Sequence, residues 1–186
     1  MSFSIEIVIP APIDVVFDYV NDDEKVLEWS TFMVENRYPS NVDVENPREG
    51  DKYISVQKMG KKIYEFEAEI LEYDAPYIVS VGCDMKQGYT AATYMLEEDE
   101  EGTSLTLIVE FEPKNFLYKI MYKLTGWMTR AVYIGEMERL CCVFPEKRII
   151  ILFNKKNCRN RQFFILLFFQ SCFPLHVPKE KYHQLK

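Results

Sequence analysis

From Ser4 to Ile9 the chain alternates, Ile5, Ile7 and Ile9 against Ser4, Glu6 and Val8, the period-two pattern of a half-buried strand. Pro10-Ala11-Pro12 stops that pattern. Beyond it Ile13, Val16, Phe17 and Val20 recur at i, i+3, i+4 and i+7, one apolar stripe of a helix. Pro12 suits the first helical position, where its missing N–H costs nothing, and Asp14 complements the helix dipole. Most residues of this helix are β-branched or aromatic and form helix weakly, so tertiary packing must hold it. Asn21 and Asp22 cap its end and start a second short helix, Asp23 to Trp29. Elements held by packing alone can loosen, which makes residues 13–29 a candidate lid.

Six more extended segments follow, at about 31–38, 51–59, 62–74, 77–85, 89–98 and 103–112. Turn signals separate them: the 39–50 loop with Pro47 and Gly50, Gly60-Lys61, Asp74-Ala75-Pro76, Lys86-Gln87-Gly88, and residues 98–102. Connections this short predict antiparallel hairpins and a meander. In 62–74, Tyr64, Phe66, Ala68 and Ile70 take one face and Glu65, Glu67 and Glu69 the other, so one face packs and the other is wet. Tyr77, Val79, Val81, Cys83 and Met85 form the apolar set of the next strand, and Leu105, Leu107, Val109 and Phe111 that of the last.

Past Pro113 the spacing predicts a long helix from about Asn115 to at least Leu140. Leu117, Ile120, Met121, Leu124, Met128, Ala131, Val132 and Gly135 fall within about 120° of arc, with Lys119, Lys123 and Arg130 opposite. That stripe is the face expected to lie along the sheet. Ala131 and Gly135 would permit close approach, and Gly126 falls off the stripe as a point of slight bending.

Composition changes this picture at one place. Residues 1–140 carry 13 bases against 27 acids, a balance of −14; residues 141–186 carry 9 bases against 2 acids, +7. All seven glycines lie before residue 136, while four of five cysteines and both histidines lie after 140. The first 140 residues therefore form an acidic body, which argues against nucleic-acid binding, and one without an imidazole base. The stretch Phe163–Phe169 is the longest apolar run, well short of the roughly 20 residues of a membrane span. With no signal-peptide pattern at the N-terminus, a cytoplasmic protein is expected. Cys142, Cys158, Cys172 and His176 lack the paired spacing of a zinc site, and no metal or cofactor is expected. Residues 141–186 are set apart as an atypical basic and apolar tail outside the domain. Their composition reads as out-of-frame translation after a frameshift near codon 140; a genuine appendage for a membrane or a partner is the competing reading.

The order strand, two short helices, six strands, long helix, together with "PAPIDVVFDYVND", Trp29, "EILEYDAP" and "EEGTSLTLIVEFEP", resembles the START-like superfamily, and within it the SRPBCC group of polyketide cyclase/dehydrase and lipid-transport-type domains. The resemblance covers roughly residues 3–140. It implies an α+β helix-grip fold: a curved seven-stranded antiparallel sheet wrapped around the C-terminal helix, with an apolar cavity between them. It further implies a lipid, polyketide or isoprenoid-like ligand.

Apolar-face residues near the long helix are the candidate liners: Trp29, Phe32, Tyr64, Phe66, Val79, Val81, Tyr94, Leu107, Met121, Leu124 and Met128. The adaptable methionines 33, 85, 95, 121 and 128 suit variable apolar shapes. Chemistry in the body would fall to Asp, Glu, Tyr, Lys or Arg, and Tyr53, Tyr94, Arg37 and Asp84 are the strand-borne candidates. The leading expectation is a carrier or sensor of a small hydrophobic ligand. A cyclase or dehydratase acting on such a ligand and a protein-interaction module, as in heat-shock-protein activator domains, are the alternatives. Oligomeric state is left open.

Overall fold

The computed structural model describes residues 1–144 and the backbone of Ile150 and Ile151. The opening alternation becomes β1 (Ser2–Ile9), with Ile5, Ile7 and Ile9 buried. Pro12 caps rather than begins α1 (Ile13–Asn21), whose expected stripe of Ile13, Val16, Phe17 and Val20 is buried. Asp22 starts α2 (Asp23–Trp29), its side chain accepting from the backbone N–H of Glu24 at 2.8 Å and Lys25 at 3.2 Å. The meander follows as β2 (Met33–Arg37), β3 (Lys52–Met59), β4 (Lys62–Asp74), β5 (Ile78–Asp84), β6 (Gly88–Asp99) and β7 (Gly102–Pro113), and the chain enters α3 (Phe116–Cys142).

The seven expected strands form one curved antiparallel sheet, open between β2 and β1, in the order β2-β3-β4-β5-β6-β7-β1. β1 closes against the last strand of the meander, Ile5 opposite Leu107 and Ile9 opposite Thr103. A two-residue β8 (Ile150–Ile151) adds at the free edge of β1, opposite Ile7 and Val8. So short a strand carries no periodic signal and was not expected. With the two short helices after β1 and the long helix after β7, this is the helix-grip α+β arrangement.

The main core joins β1, α1, the inward residues of β5–β7 and the end of α3. Leu140, Cys141 and Phe144 belong to it, Phe144 meeting the Tyr19 ring edge-on at 4.9 Å. The other residues of the proposed tail, from 145 onward, lie outside the described residues, apart from the backbone of β8.

The orientation of α3 corrects the sequence expectation. Leu117 is 72% exposed and Leu124 71%, while Tyr133, Met137, Leu140 and Cys141 turn inward. At about 100° per residue, Tyr133, Met137 and Leu140 lie about 160° round the helix from the centre of the expected stripe. Gly126 falls on this inward side, where a Cβ would sit 3.3 Å from the Tyr122 ring. The helix is apolar on nearly every side, so periodicity offered two stripes. The sheet selected the one whose aromatic rings find partners: Tyr133 meets Phe3 at 5.7 Å and Tyr122 stacks on Phe111 at 4.8 Å.

Candidate functional site

Strand register defines the floor of a site. Residues directly opposite on neighbouring strands share a face. Tyr53 lies opposite Ala68, Ala68 opposite Cys83, Val79 opposite Tyr94, and Tyr94 opposite Leu107. With Tyr64, Phe66 and Val81 they belong to the side that carries the core. The opposite side holds the acidic row, where Lys52 pairs with Glu67 at 3.0 Å and Glu69 at 3.6 Å.

The helices cover this floor unevenly. α1 packs on β6 and β7, and α3 on β1, β7 and α2. Over β3 and β4 a smaller cluster of Tyr53, Ala68 and Ile70, joined by Tyr38, Tyr73 and Val81, is separate from the main core. Tyr64 and Phe66, stacked at 6.1 Å, are only half-buried beyond it. The candidate site is the inner face of β3–β6, bordered by β2 and the inward side of α3.

The sequence candidates divide accordingly. Trp29, Val79 and Leu107 are buried in the main core, and Trp29 Nε1 donates to the Tyr19 carbonyl at 2.7 Å, a structural bond. Val81 and Tyr94 pack at its margin, facing the site. Phe32 is half-buried between α2 and β2. Leu124 is a correction: it points away from the sheet, because α3 presents its other side. Met121 and Met128 are half-buried and share that outer side by helical spacing. Of the chemical candidates, Arg37 and Asp84 are exposed, Arg37 paired with Glu35 and Glu65, and Asp84 with Lys114 at 2.8 Å. Tyr53 and Tyr94 do face inward.

Sequence reasoning missed Tyr133, whose only signal was its i, i+4, i+7 spacing with Met137 and Leu140. It brings a third phenol to the site. Among the described residues no hydrogen bond engages the hydroxyls of Tyr53, Tyr94 or Tyr133. Burial pushes all three above the usual tyrosine range, Tyr133 to about 12; nearby Tyr122 and Glu136 charges reinforce the shift at Tyr133, and Tyr38 and Asp23 that at Tyr53. Burial also pushes the Cys83 thiol up to about 11. At neutral pH the site therefore presents uncharged donors on an apolar wall.

Two acids lie at its border. Asp23 Oδ1 accepts from Asn36 Nδ2 at 2.7 Å and from the Tyr38 hydroxyl at 3.2 Å, and burial holds its carboxyl above the ordinary value. The Glu136 carboxylate accepts from the Thr31 N–H at 2.8 Å and its hydroxyl at 2.5 Å, tying α3 to the α2–β2 junction. Both oxygens of Glu136 are thereby engaged, Oε1 also facing Arg139 Nε at 3.9 Å, so this acid positions α3.

Comparison with known proteins agrees with the fold. A family model described as polyketide cyclase / dehydrase and lipid transport matches residues 1–143. A protein of Rhodobacter sphaeroides superposes with a TM-score of 0.60 at 12% identity, over 76% of this chain and 90% of its own. One from Nitrosospira multiformis gives 0.58 at 11%, over 79% and 98%. The solution structure of the AHSA1-like protein from Aeromonas hydrophila gives 0.55 at 18%, over 76% and 90%. Similarity at this level shows a shared fold. No curated protein matches the chain.

Proposed function

The chain belongs to the polyketide cyclase / dehydrase and lipid transport family, and from that premise we propose that it binds one small hydrophobic molecule, lipid, polyketide or isoprenoid-like, between the sheet and α3, as a carrier or sensor. The observation that carries this reading is the trio Tyr53, Tyr94 and Tyr133. Tyr53 is buried and Tyr94 and Tyr133 are half-buried, and no hydrogen bond among the described residues engages their hydroxyls, so each keeps a donor for an incoming acceptor. Three such donors on an apolar wall suit an oxygen-bearing ligand that supplies the acceptors.

Native mass spectrometry of the chain purified from its own host should show a co-purifying apolar molecule. A thermal-shift panel of lipids, aromatic polyketides and prenyl compounds supplies the second readout. A ligand at 100 times its Kd adds about 2.7 kcal/mol, several degrees in Tm for a domain of this size. Tyr94→Phe and Tyr133→Phe should shrink the shift. An empty protein that no member of the panel stabilises overturns the proposal.

A second reading, a cyclase or dehydratase, draws on the same neutral phenols, since a buried tyrosine can donate a proton to a developing oxyanion. It requires turnover that Tyr94→Phe or Tyr133→Phe abolishes while binding persists.

A further inference from the structure

Among the described residues, the most exposed large apolar side chains gather on the outer side of α3. Phe116 is 75% exposed, Leu117 72%, Leu124 71% and Trp127 63%, and Ile120 lies among them. These five fall within about 100° of arc over three turns of one helix. Scattered exposed apolar residues are ordinary, but a continuous stripe with a tryptophan marks a docking face.

Its charges identify the occupant. Between Glu112 and Glu136 the chain has no acidic residue, in a body whose balance is −14. Lys123 borders the stripe beside Trp127, and Lys119, one turn earlier, stands about 60° further round the helix from Phe116; both are exposed and without an ion-pair partner among the described residues. The nearest acids along the chain, Glu110 and Glu112, alternate with Val109 and Phe111 and so project from the far side of β7. Neither lysine is paired with a carboxylate among the described residues, so each keeps its charge for a partner within the roughly 8 Å over which salt screens at physiological ionic strength.

We propose that the outer face of α3 docks on an anionic lipid bilayer, with the stripe at the acyl boundary, Trp127 at headgroup depth, and Lys119 and Lys123 on lipid phosphates. An amphipathic helix lying in the interface requires apolar side chains on one side, a basic border, and long lysine stems that reach back to the headgroups. A protein partner would be expected to bring acidic side chains of its own; a bilayer supplies anionic charge and apolar depth together. The proposal is independent of what binds at the tyrosines.

The test is sedimentation of the full chain with phosphatidylcholine vesicles, with and without phosphatidylglycerol, alongside tryptophan emission. Binding should require the anionic lipid and shift emission to the blue, and Trp127→Phe should remove the shift because Trp29 is already buried. K119Q/K123Q should weaken binding roughly 25-fold, about fivefold for each lysine. Leu124→Glu should abolish the shift, and as an exposed substitution it should leave the unfolding midpoint unchanged. Equal binding to neutral vesicles, or binding that these variants do not affect, overturns the proposal. So does a dimer in solution that Leu124→Glu dissociates, which would assign the stripe to a second copy of the chain.

Discussion

Thr103 stands where the break after the first strand is secured. Fully buried at the start of β7, it pairs with Ile9, and its hydroxyl donates to the Ala11 carbonyl at 2.7 Å. Beside it Gly102, at φ +140°, lets the turn press on β1; a Cβ there would lie 2.2 Å from the Ile9 carbonyl oxygen. The Pro-Ala-Pro kink is thus held by a hydroxyl and a glycine about ninety residues away. Thr103→Val keeps the shape and strands the Ala11 carbonyl, so the expected loss is about 1–3 kcal/mol in urea unfolding, with Thr103→Ser recovering most of it. A valine variant as stable as the parent would remove this bond from the account.

Among the elements, the sequence pattern treats α1 and α2 as one loosely held lid, whereas their burial differs. α1 buries four apolar side chains, with Phe17 set against the Tyr73 ring at 5.9 Å, whereas in its seven residues α2 buries only Trp29. Local opening free energy follows buried apolar contact, so amide exchange in 23–28 should be at least tenfold faster than in 16–20. Equal protection would return both to a single rigid unit. α3 illustrates what a pattern leaves open: its ends, its length and its N-cap, Asn115 accepting from the Tyr118 N–H at 3.0 Å, follow from local chemistry. Its rotation does not, because two apolar stripes competed. Leu124, expected against the sheet, is exposed for that reason.

For the whole molecule, the inward-facing phenols set the alkaline limit. Tyr53, Tyr94 and Tyr133 each titrate in the folded protein above the ordinary value of 10.0, Tyr133 at about 12. Ionisation therefore favours the unfolded chain: the stabilisation is whole below about pH 10 and is lost as pH rises through the interval toward 12. Unfolding free energy measured from pH 9 to 12 should fall, with phenolate absorbance rising alongside, and Tyr133→Phe should flatten the slope. Full tyrosine ionisation near pH 10 with the fold intact would contradict the burial described here.

Read alone, the sequence determined the elements, their order and the antiparallel meander, because alternation, proline breaks and short turns act within a few residues of one another. It also determined the acidic, histidine-free character of the body. The tertiary structure decided which side of α3 faces the sheet, that Arg37 and Asp84 face water while Tyr53 and Tyr94 face inward, and that Tyr133 joins them. These depend on pairings between residues far apart in the chain: Phe3 with Tyr133, Phe111 with Tyr122, and Thr31 with Glu136. An amphipathic pattern states that a face must be buried; only the partner surface selects between two faces of nearly equal hydrophobicity.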